Sequence, residues 1–354
     1  MSGGRTKTSK GPVRRLIDDQ WTHVLLSHGG GGMLTDSLLG TAVFPKLKNA
    51  ALDELLDSAV LEHGRDRIAL TIDSYVVQPI EFPGGDIGRI AVSGTVNDLC
   101  VCGARPLGIA LSFILAEGLP RTTLERIVES ISATAKEAGV SIVTGDTKVV
   151  GRGQADGLYI TTAGVGVVRE NVRLHPSRLE VGDAVLINGP IGEHGLAVML
   201  AREMPQVSSV VRSDVAPLSS LIHALLDEVP EVVFMRDPTR AGLSGVLTDL
   251  ATRSGRRIVI DEPSVPVRIE ALHAAEMLGL DVLEVANEGK VVVVVRGNRA
   301  EKALEVMRRH PLGRDSAIIG RVESGGEALA EIRTSIGGRR VLLKPYGEQL
   351  PRIC

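Results

Sequence analysis

The sequence predicts an α+β protein built from two domains in series. Three observations carry that expectation. At 354 residues the chain exceeds what one hydrophobic core usually organises. Apolar strand-like runs alternate with stretches of helical periodicity, and this mixed order occurs twice. A polar interval from Glu170 to Gly182 separates the two passes. The expected bounds are a basic arm over 1–15, an N-terminal domain over 16–170, a C-terminal domain over 171–345 and a tail over 346–354.

Composition narrows the function classes. A net charge of −3 with 44% hydrophobic residues suits an ordinary soluble protein, and no apolar run is long enough to span a bilayer. Aromatic content of 2% leaves almost no stacking surface for bases, so neither nucleic acid nor membrane is an expected partner. Three cysteines give no disulfide framework, which points to a reducing cytoplasm.

The arm carries Arg5, Lys7, Lys10, Arg14 and Arg15 among small polar residues and is expected to be disordered. His28 and the four glycines Gly29–Gly32 precede a helix-like run from Met33 to about Leu61; consecutive backbone N–H groups there suit an anion nest, and a hinge is the equal alternative. The run Arg67–Ile72 reads as a strand that delivers Asp73. Pro83–Asp86 is a loop into a helix over Ile87 to about Cys102, with Asp86 as its cap. Asn97 and Asp98 lie at the far end of that helix among apolar neighbours, where their partners are either backbone groups or a hydrated divalent ion. Cys100 and Cys102 lack the further ligands of a zinc site and read as packing residues.

A strand over Pro106–Leu115 and a helix over Thr122–Ala138 follow, then a strand over Val140–Val143 leading into Thr144-Gly145-Asp146-Thr147-Lys148. Asp73, Asp98 and Asp146 together suggest a metal–nucleotide site, because Mg²⁺ takes few carboxylates and fills its shell with water and phosphate oxygens. Three unrelated turns and caps are the alternative. In the second half, His194 sits near the start of a helix whose dipole disfavours its protonation. The strand Val232–Met235 runs into Arg236-Asp237-Pro238-Thr239-Arg240-Ala241-Gly242, whose guanidinium groups can fork onto phosphate. Glu288 begins a turn before the strand Val291–Val295 and is a candidate acid or base. The chain ends Pro351-Arg352-Ile353-Cys354, past residues that break helices, so an extended, mobile tail ending in a thiol is expected.

Several of these stretches together are familiar. Asp73-Ser74-Tyr75-Val76-Val77, Phe82-Pro83-Gly84-Gly85-Asp86-Ile87-Gly88, Gly94-Thr95-Val96-Asn97-Asp98-Leu99, Thr144–Val150, Ala286-Asn287-Glu288-Gly289-Lys290 and Pro351-Arg352-Ile353-Cys354 resemble the HypE family of hydrogenase maturation proteins. That family lies within the ATP-using superfamily of aminoimidazole ribonucleotide synthetase and selenophosphate synthetase. The resemblance runs from about Leu26 to the end of the chain, and the final four residues are its most specific part. It departs from the family pattern at Met33, where Gln or Lys is usual, and at Ala241, where Gly is usual.

The resemblance implies two consecutive α/β-sandwich domains of the aminoimidazole ribonucleotide synthetase type, a flexible tail, and a homodimer joined through the N-terminal domains. HypF would carbamoylate Cys354, ATP with Mg²⁺ would drive dehydration to a thiocyanate, and the HypC–HypD complex would accept the cyanide for the NiFe site. Asp73, Asn97, Asp98, Asp146, Thr147, Asp237 and Arg240 would bind the nucleotide, with the four aspartates at the metal. Cys354 would carry the substrate, Lys148 would steady phosphate charge, and Glu288 or His194 would take a proton. The rival expectations are a free small-molecule kinase of the same superfamily and a non-catalytic adaptor that docks through its tail.

Overall fold

The computed structural model describes residues 21–207, 209–347 and 352–354; the basic arm expected over 1–15 lies outside them. In the N-terminal unit, short helices α1 (Met33–Leu38) and α2 (Phe44–Leu47) precede β1 (Ala59–His63) and β2 (Asp66–Tyr75). A small ribbon, β3 (Glu81–Phe82) and β4 (Gly85–Asp86), leads to α3 (Ile87–Val101), β5 (Ala104–Ala116), α4 (Arg121–Ala138), β6 (Ile142–Val150) and β7 (Leu158–Val168). The main strands form one sheet in the order β1-β2-β7-β5-β6. Asp86 caps α3 as expected, its Oδ1 accepting from Gly88 N at 2.7 Å and Arg89 N at 3.0 Å.

Two sequence expectations are corrected here. The helix expected from Met33 to Leu61 ends at Leu47, and Ala59–His63 is a strand. Asn49 explains the stop: its Oδ1 accepts from Ala51 N and Leu52 N, offering the backbone a turn in place of another helical residue. The strand expected over Val140–Val143 instead starts at Ile142 and runs through Asp146 and Lys148. Parallel pairing with β5 from Ile109↔Ile142 to Ala116↔Val150 keeps that motif extended. Gly145 permits the close approach, since a Cβ there would lie 2.1 Å from Leu111 O.

Strand alternation divides the N-terminal sheet into two faces. Ala69, Thr71 and Tyr75 of β2 are buried toward α3, whereas Leu70, Ile72 and Ser74 are exposed on the other side. That outer face also exposes Ile114 of β5, whose register partner is Tyr159 in the outward row of β7. A sheet face with this much uncovered aliphatic surface is unusual for a surface left in water.

The C-terminal unit comprises β8 (Ala184–Ile187), α5 (Glu193–Glu203), α6 (Ser219–Glu228), β9 (Val232–Arg236), α7 (Gly242–Ser254), β10 (Arg257–Asp261), α8 (Ile269–Leu278), β11 (Val292–Val295), α9 (Ala300–Arg309), β12 (Ala317–Glu323), β13 (Ala330–Arg333) and β14 (Arg339–Val341). Its seven strands are ordered β14-β13-β10-β12-β8-β11-β9. Every residue of β8 and β11 is buried, as unbroken Val, Leu and Ile runs demand when both faces are covered. Val185, Ile187, Val292 and Val294 pack with α7 residues such as Leu243 and Leu247. Leu186, Val293 and Val295 instead join a cluster holding Leu196, Leu221 and Met307, which continues into Ile90, Val96 and Ile131 of the N-terminal unit. Helix α3 is thus the apolar joint between the two sheets.

Asn97 pins this joint. Its amide nitrogen donates to Ala216 O at 3.1 Å and its Oδ1 accepts from Leu218 N at 2.7 Å, so the backbone partners weighed in the sequence are the ones it takes. Cys100, packed in the same helix, has its thiol pushed up to about 12 by burial, in keeping with a packing role.

Candidate functional site

A cavity of about 620 Å³ opens between the two units. Asp73 near the end of β2, Asp98 on α3, and Asp237 in the turn after β9 line it together. Asp57 lines it as well, a residue the sequence did not single out. Asp98 lies on the helix where the sequence placed it; Thr71 Oγ1 bonds its Oδ2 at 2.7 Å, tying helix and strand together at the site. The far wall is a charge lattice of which the sequence signalled only Arg236, read there as a phosphate fork and found here paired with Asp57 and Asp249. Arg236 Nε lies 3.0 Å from Asp57, and Lys344 Nζ lies 2.8 Å from Asp36 and 3.1 Å from Asp249.

The glycine-rich loop and the strand-to-helix turn at Arg240 meet at the cavity edge. Arg240 Nη1 donates to Gly29 O at 3.2 Å, and a Cβ on Gly31 would lie 2.7 Å from Arg240 Cβ. Met33 N donates to Pro345 O at 2.8 Å and Leu34 N to Tyr346 O at 2.9 Å, so the segment preceding the tail straps this loop. The departure at Ala241 is costly in a definable way. Ala241 has φ 63°, a left-handed conformation that a Cβ disfavours by about 1 kcal/mol. Ala241→Gly is therefore expected to stabilise the fold by about 1 kcal/mol, measured as an increased urea midpoint with unchanged slope.

The carboxyl groups of the cavity share one electrostatic condition. Burial raises the pKa of Asp57, and that of Asp73 despite Arg240 and hydrogen bonds to Asp98 and Tyr75. Burial, then the neighbouring Asp73 and Asp237, pushes Asp98 well up. Asp237 is pushed up to about 8, first by burial and then by Asp57. Such crowding of desolvated acids is relieved by a cation. Asp73 Oδ2 fits that role, being buried without a hydrogen-bond partner among the described residues. Among those residues no three His, Cys, Asp or Glu side chains form a metal cage by themselves. Should Mg²⁺ bind with ATP, keeping waters and phosphate oxygens in its shell, Asp73, Asp98 and Asp237 are the residues that would hold it.

The shift at Asp237 has a thermodynamic consequence. Folded protein keeps a proton between the ordinary 3.8 and about 8 that the unfolded chain has released, so stability is lost as pH rises through that window. The thermal midpoint of cation-free protein is expected to fall as pH climbs toward 8, and Asp237→Asn is expected to flatten the decline.

Glu288 lies between this cavity and a second polar centre. Its carboxyl is held well above the ordinary range, first by burial and then by Asp237, Asp214 and Asp73. Its turn is rigid: Asn287 donates to Pro238 O at 3.0 Å, and a Cβ on Gly289 would lie 1.9 Å from Asp214 O. Asp214, bonded to Lys290 Nζ at 2.8 Å, faces His194. His194 is fully buried, with Phe82 edge-on at 5.5 Å, and burial lowers its pKa. Its Nδ1 is 2.8 Å from Ser213 Oγ and its Nε2 is 2.7 Å from Ile353 O.

The end of the chain is therefore docked at this second centre. Val76 N donates to Cys354 O at 3.1 Å and Gln78 N to Arg352 O at 3.1 Å, strand fashion, while Ile353 is buried. The sequence expectation of an extended tail concerns residues 346–354, of which 348–351 lie outside the described residues.

Asp146, Thr147 and Lys148 are not brought to the cavity within one chain. The registers Ser74↔Thr161, Thr161↔Ser112 and Ser112↔Asp146 put Asp146 in one row with Ser74, on the outer face of the sheet. It is three strands from β2, or about 14 Å, and on the face opposite Thr71 and Tyr75. Asp146 and Lys148 are exposed and paired with each other at 3.0 Å.

The AIR synthase related protein family matches the chain twice, by its N-terminal domain over residues 56–168 and its C-terminal domain over residues 180–331. The chain is 45% identical over 331 residues to the carbamoyl dehydratase HypE of Azotobacter vinelandii, covering 94% of this chain and 97% of that one. It is 44% identical over 355 residues to the HypE of Cupriavidus necator, covering all of both. Among solved structures, HypE in a complex with HypF superposes with a TM-score of 0.83 at 45% identity, covering 87% of this chain and 99% of that one. HypE in complex with ATP superposes at 0.79 and 42% identity, covering 94% and 100%. A thiamine monophosphate kinase bound to AMPPCP and TMP shares the fold alone, at 19% identity and 0.68.

Proposed function

Because the chain belongs to the AIR synthase related family, and within it to the HypE carbamoyl dehydratases, we propose that it uses ATP to dehydrate a carbamoyl group carried on Cys354 to a thiocyanate, for hydrogenase maturation. The observation that supports this reading is that Ile353, next to Cys354, docks on His194, which shares its neighbour Asp214 with Glu288, while Asp237 and Asp73 of the acid-lined cavity act on the same Glu288 carboxyl. A thiocarboxamide oxygen is a poor leaving group. In the proposed step that oxygen attacks the γ-phosphorus, an O–P bond forms and the bond to ADP breaks. The C–O bond then breaks with phosphate as leaving group, and the nitrogen loses both protons to give S–C≡N. Mg²⁺, held by Asp73, Asp98 and Asp237, would neutralise the phosphates. Arg240 lies at the cavity edge for phosphate contact, and Glu288 is the proton acceptor.

The bare outer face of the N-terminal sheet supports a homodimer. Ile72 belongs both to that face and to the cavity rim, so a partner sheet seated there reaches the rim. Asp146, Thr147 and Lys148 of each subunit would then complete the partner subunit's nucleotide site. The complex of a HypE with HypF supports HypF as a partner; its role as carbamoyl donor and that of the HypC–HypD complex as acceptor are part of the proposal. A cytoplasmic setting suits a carrier thiol that must stay reduced. Among the described residues no helix is long and apolar enough to cross a membrane.

Intact-mass measurement after incubation with HypF, carbamoyl phosphate and ATP tests the reading. The expected product is a carbamoyl adduct on Cys354 that loses one water only when ATP is consumed. An adduct that persists unchanged with ATP and Mg²⁺ present would falsify it. A soluble-substrate kinase activity untouched by Cys354→Ala would favour a different enzyme of the family.

A further inference from the structure

We propose that Asp156 and His194 are positioning residues that seat the Arg352–Cys354 segment within its own chain and thereby aim Cys354 at the dehydration site; the aiming, though not the seat, rests on the function proposed above. The geometry of the seat is specific. Arg352 is gripped by the Asp156 carboxylate, its Nε donates to Val76 O at 3.0 Å, and its guanidinium carbon lies 5.9 Å from the Tyr159 ring centre. His194 fixes the next residue: Nε2, as donor, meets Ile353 O at 2.7 Å. Ser213 sets that tautomer, because its hydroxyl faces Nδ1 at 2.8 Å and can donate there.

These contacts hold an unfavourable backbone. Arg352 has φ 56°, a left-handed conformation that a non-glycine residue keeps only where its surroundings over-determine it. Here backbone pairing on one side, the Asp156 clamp on the other and the buried Ile353 side chain supply that determination. Neither Asp156 nor Tyr159 belongs to the cavity lining, so the seat is separable from nucleotide binding.

The consequence is a two-position tail whose docked population these residues set. Alkylation of Cys354 then tracks the undocked fraction, while buried Cys100 in the same molecule reports global opening. The full-length chain is treated with iodoacetamide and each thiol is followed by peptide mass. Asp156→Ala is expected to speed Cys354 modification by roughly fivefold, with Asp156→Glu restoring most of the protection. His194→Phe keeps an aromatic ring against Phe82 but removes the donor, and is expected to speed modification by about tenfold. Cys100 should stay unreactive throughout. Cys354 rates equal to wild type in variants that still protect Cys100 overturn the seat; should His194→Phe expose Cys100, Asp156→Ala decides alone. In carbamoylated protein, the same variants are expected to dehydrate more slowly at saturating ATP, with the KM for ATP unchanged. Faster alkylation with wild-type dehydration keeps the seat and overturns its aiming role. Absence of dehydration in wild type sinks the function reading and leaves the alkylation result standing.

Discussion

Co-producing the variants Asp73→Asn and Asp146→Asn is expected to restore about a quarter of wild-type dehydration, because in the proposed dimer each variant alone lacks one half of every site. Asp73 lines the cavity from the inner side of β2, whereas Asp146 projects from the outer face of β6, about 14 Å away across three strands. No rotation of a side chain closes that gap. The proposed two-fold dimer through the outer face would, by bringing one sheet's outer face to the other's rim at Ile72. Each single variant should retain about one hundredth of the rate or less, as expected when a preorganised charge near transferring phosphate is lost. In a random mixture about half the dimers are mixed, and each mixed dimer has one intact site and one doubly damaged site. Activity no greater than the sum of the two variants, in material shown to contain mixed dimers, would mean that Asp146 serves its own chain or has no role in the reaction.

Most of the site's ingredients were legible because they are short and local. Asp73 and Asp237 follow apolar strand-like runs and Asp98 stands among apolar neighbours, and all three line the cavity. What the sequence withheld was long-range. Asp57, Asp249 and Lys344 carried no local signal and meet Arg236 only through tertiary packing. No local pattern distinguishes Asp57 from a surface loop residue, although burial and the neighbouring arginine make it part of the wall. Asn97 looked like a nucleotide ligand because it adjoins Asp98; one helical residue turns its side chain by roughly 100°, toward the backbone of residues 216–218. The Asp146 motif read as a strand end because its glycine and polar residues suggest a turn. The register with β5 keeps it extended instead, and that register is not encoded in the motif itself.

Glu288→Gln is expected to leave loading of Cys354 intact while slowing dehydration by about a hundredfold or more, and to abolish its rise with pH. Glu288 is buried, and its carboxyl is held well above the ordinary carboxylate range by burial and by Asp237, Asp214 and Asp73. A carboxyl raised in this way is a stronger base once ionised than a surface glutamate, but fewer molecules carry it ionised. The dehydration rate of wild-type protein at saturating ATP should therefore increase with pH across the range in which Glu288 loses its proton. Gln fills the same volume and keeps hydrogen-bonding capacity but cannot accept a proton, so its residual rate should be flat. Burial already disfavours the ionised carboxylate and Gln matches its shape, so folding should change little; thermal unfolding and Cys100 protection check this. A pH profile that keeps its slope in Glu288→Gln would transfer the proton acceptor to another group. His194 is a poor substitute, because both its ring nitrogens are engaged, one at Ser213 and one at the docked Ile353 carbonyl.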